Sequence, residues 1–351
     1  MAKQTFKIGK KIIKENGDIF IIAEAGVNHN SRLDLALRLV DAAADSGADA
    51  VKFQTFKPEN VVTPKGKMAT YQKRNLGTTT SQLNMLRKLA LPDKFYKPII
   101  ERCHKRNILF LSTPQGGRQS VNFLERFKLP AYKIDSGNLT NYLLLDHIAR
   151  LKKPIILSTG MASYKEIKDA VNFVKSRNNH KIAILHCTTD YPCQITDVNL
   201  EVMERMMSRF DVPVGYSDHS QDIQVAIMIA SMGAAVYEFH ITLDKKLQGP
   251  DHHASSNPSD AKAKIMAIRK VKIIMGSNIK PAKCEIPYIK EVRRSLVYIN
   301  DLKKGQILTL KDIEGKRPAT GISARYYQSF LGKKLIKDVK IDQQLSKRDF
   351  I

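Results

Sequence analysis

The chain has 351 residues, a formal net charge of +24 and four cysteines (Cys103, Cys187, Cys193, Cys284) without CxxC spacing, a pattern of reduced thiols in a cytoplasmic protein. No apolar run reaches the 18 or so residues of a membrane span, and the basic N-terminus MAKQTFKIGKKII lacks a signal-peptide core, so neither export nor a membrane partner is expected. Residues 261–351 hold 22 Lys and Arg against 8 Asp and Glu, but no zinc-finger, RRM or KH pattern accompanies them; the charge reads as a solvated surface that draws anionic substrates, not as a nucleic-acid site.

In chain order, TFKIGKKIIKE (5–15) alternates weakly and reads as a hairpin closing the bottom of a barrel. Eight apolar runs then recur: FIIAEAGVN (20–28), AVKFQTF (50–56), ILFLSTP (108–114), AYKIDSG (131–137), PIILSTG (154–160), IAILHCT (182–188), VPVGYSDH (212–219) and AVYEFHITL (235–243). Each ends in polar residues and precedes a helical stretch. Buried parallel strands read as continuous apolar runs, and their alternation with helices implies βαβ units, so the pattern predicts an α/β fold, a (β/α)8 TIM barrel. Helices are expected at 31–47, across 81–106, and at 118–127, 142–151, 163–176, 200–210, 222–233 and 258–276. For the last, Ser259 is the candidate N-cap, since Pro258 offers no side-chain acceptor. The polar, turn-rich stretch 57–83 reads as a substrate lid. The expected organisation is a catalytic barrel over 1–276, a linker over 277–291, and a small domain over 292–351 with β-like pieces at SLVYIN, GQILTL and KLIKDV.

Barrels of this kind do their chemistry where the strands end. Lys52 and Lys133 supply point charge there, and Thr113, Ser136, Ser158 and Ser217 supply directional donors. Together they suit a phosphorylated carboxylate; scattered solvent-facing polar residues are the competing reading. His219 and His240 end adjacent runs, and two neutral imidazoles suit Mn²⁺, Co²⁺ or Zn²⁺ as a Lewis acid, with hydrogen-bonding histidines as the alternative. Glu24 is either a carboxylate facing developing positive charge or a cap of the following turn. Glu238 reads equally as a partner for a barrel lysine. Asn28, Gln54 and His186 complete the strand-end inventory, and Cys187 and Cys193 read as ordinary packing in preference to nucleophiles.

The segments IIAEAGVNHN, DAVKFQTF, LSTP, KIDSG, LSTGMA, LHCTTDYP, GYSDHS, HITLDK and GPDHHAS, followed by RRSL and KRPATGIS, resemble the sialic acid synthase family over nearly the whole chain. The resemblance implies a TIM barrel followed by an antifreeze-like (SAF, β-clip-like) domain. It implies condensation of phosphoenolpyruvate with an N-acylated mannosamine-type sugar to a nine-carbon 2-keto-3-deoxy acid and phosphate. Lys52, Thr113, Lys133, Ser136, Ser158 and Ser217 match the positions that hold phosphoenolpyruvate. His219 and His240 match the ligands of a divalent metal, Mn²⁺ first with Mg²⁺ or Co²⁺ as alternatives, and Glu24 matches the acid facing the cation left at C2. Gln54, Tyr191 and Asp251, with Tyr71 from the lid, match positions around the sugar. Arg317 matches an arginine delivered to the neighbouring subunit, which implies a domain-swapped homodimer.

Three residues depart from the family's usual pattern on or near the sugar side: Asn138 where Glu is usual, Gln115 where Phe is common, and Asn257 where Glu is usual. EAGVNHN, MATYQ and CTTDYP lean toward the neuraminate and legionaminate branches. A synthase using a different or phosphorylated acceptor would employ the same barrel, but no second cluster of Arg and Lys at strand ends serves another phosphate. A non-catalytic carbohydrate-binding homologue is opposed by the presence of Glu24, Lys52, His219 and His240.

Overall fold

Alternation of apolar strands with amphipathic helices shapes the first of two compact units, 1–276 and 277–351, in a computed structural model that describes residues 3–77, 80–276 and 279–351. It opens with an antiparallel hairpin, β1 (Phe6–Ile8) and β2 (Lys11–Ile13). Eight parallel strands follow: β3 (Phe20–Gly26), β4 (Ala50–Gln54), β5 (Leu109–Thr113), β6 (Tyr132–Ile134), β7 (Ile155–Ser158), β8 (Ile182–His186), β9 (Val214–Asp218) and β10 (Val236–His240). Their order, β5-β4-β3-β10-β9-β8-β7-β6, wraps the first strand against the last and brings β5 beside β6, so the sheet is a nearly closed barrel.

Side chains alternate between the two faces of each strand. Ile21, Ala23, Val51 and Phe53 face outward into one core with the helices. Phe20, Ile22, Ala50, Leu111, Ile156, Ala183, Leu185 and Val236 face inward and pack with Phe6, Ile8 and Ile13, so the hairpin plugs the bottom of the barrel. Inward positions are therefore apolar at the floor. The next inward positions up the strands are Glu24, Lys52, Thr113, Lys133, Ser158, Ser217 and Glu238, all buried. A two-residue step thus converts a packed floor into a polar chamber. At the top of β3 the register shifts between Glu24 and Gly26, and Gly26 takes φ +52°, a conformation glycine accepts without strain.

The helices are α1 (Leu33–Asp45), α2 (Thr70–Leu76), α3 (Gln82–Leu89), α4 (Tyr96–Lys105), α5 (Arg118–Glu125), α6 (Tyr142–Arg150), α7 (Tyr164–Ser176), α8 (Leu200–Arg209), α9 (Ile223–Ser231) and α10 (Pro258–Met275). The stretch expected as one helix over 81–106 is two, α3 and α4, divided at the Leu91-Pro92 turn because the residue before a proline avoids the α region. The N-cap of α10 is Asn257, whose side chain accepts from the Asp260 amide, with Pro258 at the first helical position; Ser259 instead donates to Asn257 Oδ1 at 2.6 Å. No helix among the described residues is long and apolar enough to cross a membrane.

In the second unit a 3-10 turn (Lys283–Glu285) precedes α11 (Tyr288–Val292), which crosses the expected boundary at 291/292, and β11 (Ser295–Tyr298) pairs antiparallel with β12 (Ile313–Lys316). Leu296, Tyr298, Leu308, Leu335, Leu345 and Phe350 form its small core. SLVYIN contains a strand as expected, whereas GQILTL and KLIKDV contribute only isolated bridges, Ile307 to Lys334, Leu335 to Phe350 and Leu302 to Val339. With a core this small, turns and short bridges carry the backbone pairing that regular strands would otherwise supply.

Candidate active site

The polar chamber opens at the strand ends into a cavity of about 560 Å³. Every residue matched to the phosphoenolpyruvate, metal, acid and sugar positions lines it; Asn28 and His186 do not, and Arg317 belongs to the second unit, where its Nε donates to Val292 O at 3.0 Å. Its floor is an ionic lattice. Lys52 Nζ lies 2.6 Å from Glu24 Oε2 and 3.6 Å from Glu238 Oε2, and donates to Thr113 Oγ1 at 3.1 Å. Lys133 Nζ lies 3.6 Å from Glu238 Oε1 and donates to Ser158 Oγ at 2.5 Å. Ser217 Oγ donates to Glu238 Oε1 at 2.9 Å. Glu238 thus bridges both lysines, the partner role its sequence position admitted.

Burial pushes the Glu24 carboxyl up, and the charge of Glu238 adds to that while Lys52 opposes it. Glu238 is buried too, yet Lys133 and Lys52 hold it down at about 2. Burial works against the Lys52 cation, but Glu238 and Glu24 keep its ammonium above its ordinary value. Two ammonium groups therefore face one firmly ionised carboxylate, and the serine and threonine hydroxyls around them add donors. Such a set of donors suits a small, multiply charged anion, in a place where low dielectric strengthens each contact. Ser136 Oγ, which accepts from the Gly160 amide at 3.0 Å and lies 3.2 Å from Cys187 Sγ, continues the rim.

Across the chamber, the His219 and His240 rings lie 5.6 Å apart. His219 Nδ1 is 2.6 Å from Thr188 O; a carbonyl only accepts, so Nδ1 carries the proton and Nε2 keeps its lone pair. His240 Nδ1 is buried without a partner. Burial lowers both imidazoles and holds them neutral. Two neutral rings, one tautomerically fixed and one with an unpartnered nitrogen, fit a pair of divalent-metal ligands. Among the described residues there is no group of three or more His, Cys, Asp and Glu side chains arranged for a metal, so the remaining positions would fall to water or substrate.

Tyr191 packs on His219 at 4.1 Å and on Tyr71 at 4.7 Å between ring centroids. Gln54 Nε2 donates to Glu24 Oε1 at 3.1 Å. Asp251 is buried, and that burial, with the charge of Glu24, raises it to about 7. Tyr71 rides on α2 in the expected lid. Asn75 of the same helix donates to Tyr191 O at 3.0 Å and Pro250 O at 2.8 Å, and Arg74 donates to Tyr191 O at 2.9 Å, so the lid is tied to the loops bearing Tyr191 and Asp251.

Asn138 and Gln115 line the cavity, but Asn257 does not: as the N-cap of α10 it is a structural departure, not one at the sugar. His186 sits at an outward position of β8, one residue out of phase with the inward set, and its Nε2 lies 3.2 Å from both Val198 O and Asn199 O. Asn28 is likewise structural, donating to Ile241 O at 2.9 Å and Ser255 Oγ at 2.8 Å. Cys193 is buried, which pushes its thiol up to about 11 and suits packing. The sequence reading missed Asp135 and Asn141, which line the cavity on either side of Asn138 and join it in one hydrogen-bonded row. Their signal was the helical turn after KIDSG, which brings three-residue spacings to one side.

Residues 39–280 match the NeuB family and residues 293–351 the SAF domain. The chain belongs to the NeuB family. Within it, the chain is 47% identical to the N,N'-diacetyllegionaminic acid synthase of Campylobacter jejuni, over 92% of this chain and 97% of that one. It is 41% identical to the synthase of the same name from Legionella pneumophila, over 90% of each chain. Among solved structures, the N-acetylneuraminic acid synthetase of Leptospira borgpetersenii superposes with a TM-score of 0.71 at 32% identity, covering 82% of this chain and 95% of that one.

Proposed function

We propose that this NeuB-family enzyme condenses phosphoenolpyruvate with a 2,4-diacetamido-2,4,6-trideoxymannose to give N,N'-diacetyllegionaminic acid and phosphate. The reaction class, phosphoenolpyruvate-dependent C–C bond formation onto an acylated aminosugar, follows from the family. The observation that carries it for these residues is the convergence of Lys52, Lys133 and the hydroxyls with Glu24 and the histidine pair in one cavity. The choice of acceptor leans on the names of the relatives at 47% and 41% identity.

Lys52, Lys133, Thr113, Ser136, Ser158 and Ser217 bind the phosphate and carboxylate of phosphoenolpyruvate. Both ammonium groups and the hydroxyls face the cavity, so they can be shared between Glu24, Glu238 and the incoming anion. Gln54, Tyr71, Tyr191 and Asp251 orient the open-chain sugar so that its aldehyde meets C3. His219 and His240 would hold a divalent metal, Mn²⁺ in our reading, whose Lewis acidity polarises that aldehyde. C3 attacks, positive charge develops at C2, and the Glu24 carboxylate faces it. Water then adds at C2, and the tetrahedral intermediate expels phosphate by C–O cleavage. We place the barrel domain at 1–276 and the SAF domain at 292–351, joined by 277–291, in a cytoplasmic enzyme whose phosphoenolpyruvate is made in that compartment.

The test is phosphate release from phosphoenolpyruvate with 2,4-diacetamido-2,4,6-trideoxymannose and with N-acetylmannosamine. A kcat/KM at least ten-fold higher for the first is expected. Preference for N-acetylmannosamine reassigns the enzyme to N-acetylneuraminate, and no turnover with either sinks the reading.

A further inference from the structure

Lys264 is a buried cation that the reaction does not use. It projects from α10, is only 2% exposed, and carries its ammonium into the layer behind the cavity. There Nζ donates to Ser220 O at 3.3 Å and lies 3.7 Å from Asp218 Oδ2. Asp218 and Ser220 are the residues on either side of His219. Asp218 is fully engaged: Oδ1 accepts from the Ser220 amide at 2.8 Å and from Ser220 Oγ at 2.7 Å, while Oδ2 accepts from the Tyr237 hydroxyl at 2.6 Å. From the cavity side the same turn is held by His219 Nδ1 on Thr188 O and by the Cys193 amide on His219 O at 2.9 Å.

A buried ion pair is a poor way to gain stability, because the desolvation of two charges offsets their attraction, and apolar replacements of similar volume are often neutral or better. What such a pair supplies is placement. Asp218 and His219 alternate in direction: the carboxylate points outward to Lys264 and Tyr237, and the imidazole inward to the cavity. Fixing the carboxylate at Oδ1 and Oδ2 therefore fixes the direction of the ring one residue later. Lys264 adds a grip on the following carbonyl, which neither Tyr237 nor Ser220 can make.

We propose that Lys264 is a positioning residue for His219, clamping the Asp218-His219-Ser220 turn from behind so that the imidazole meets its ligand at a set angle. The idea rests on the reading of His219 as a metal ligand for its consequence in catalysis, though not for the clamp itself. The variants are Lys264→Met, which removes the counter-charge of Asp218 and the donor to Ser220 O, Lys264→Met with Asp218→Asn, which removes both charges together, and Lys264→Arg, which keeps the cation. Two measurements separate the clamp from the metal. In protein stripped with a chelator, exchange protection of the His219 Nδ1–H, expected from its bond to Thr188 O, is measured by NMR on histidine-labelled samples. On the same proteins, Mn²⁺ binding is titrated calorimetrically.

The double variant is expected to melt near the parent temperature, to lose protection of the His219 Nδ1–H, and to bind Mn²⁺ at least ten-fold more weakly, with Lys264→Arg recovering most of both. If the parent binds no Mn²⁺ the metal reading fails, and the Nδ1–H signal alone decides on the clamp. An unchanged Nδ1–H signal in a folded variant lacking the lysine overturns the proposal. So does failure of every such variant to fold, since Lys264 would then be a structural residue.

Discussion

In the proposed reaction the chemistry turns on Glu24, a buried carboxylate beside the two cavity lysines. Its ion pair with Lys52 and its acceptance from Gln54 hold it in place while burial resists its charge. Glu24→Gln keeps the shape and removes the charge facing C2, so kcat should fall by roughly 10²–10³ with phosphoenolpyruvate affinity little changed. A loss confined to KM would make Glu24 a binding residue. Asn138 is the informative departure. Its Nδ2 donates to Asp135 Oδ1 at 2.8 Å and its Oδ1 accepts from Asn141 Nδ2 at 2.9 Å, so both ends of the amide are in use. A glutamate there would set a second carboxylate against Asp135 and break the row. Asn138→Glu should therefore shift the ratio of kcat/KM between the diacetamido sugar and N-acetylmannosamine; an unchanged ratio makes the departure silent. The inward residues could be read from the sequence because a two-residue period links each to an apolar floor position. His186 could not, since a strand end alone does not give the phase, and Asn257 was misplaced because a cap and a sugar contact look alike without coordinates.

At the scale of elements, the lid and the loops opposite it make one assembly. Asn75 ties α2 to the carbonyls of both Tyr191 and Pro250, whereas Arg74, half exposed, reaches the Tyr191 carbonyl only and pairs with Asp190 where ion pairs contribute little. Two hydrogen bonds of about 1 kcal/mol each imply that Asn75→Ala raises the sugar KM roughly ten-fold or more, and Arg74→Ala much less. Equal effects would mean that the lid is not held this way. Nearby, His29 is buried, its Nδ1 accepts from the Ser31 amide, and its Nε2 has no partner. Burial lowers His29 to about 4. The folded value lies below the unfolded one, so between about pH 6.5 and 4 the unfolded chain takes up the proton first. Stability is then full above that window and lost as pH falls through it, by up to about 3 kcal/mol. Thermal melts from pH 7 to 4 should show the decline, and His29→Asn should flatten it. A slope unaffected by that change would place the titration elsewhere. The barrel strands were legible because both faces are buried. The short pieces of the second unit were not, because bridges between irregular segments leave no period to read.

At the scale of the molecule, the resemblance makes a claim that neither unit contains by itself: Arg317 completes a partner's cavity while Glu24 serves its own. The two functions lie in different compact units, so they can be disabled separately. Subunits carrying Glu24→Gln are mixed with subunits carrying Arg317→Ala under conditions that let dimers re-form. Each parent homodimer has a lesion at both sites. In a heterodimer with exchanged domains, the lesions fall together at one site and leave the other whole. Random pairing makes about half of the dimers mixed, so activity should recover toward roughly a quarter of wild type, a consequence of two-fold symmetry. If Arg317 acts within its own chain, every site keeps one lesion and mixing restores nothing. A size measurement on the mixture, showing dimers throughout, ensures that a negative result counts against the exchange and not against association.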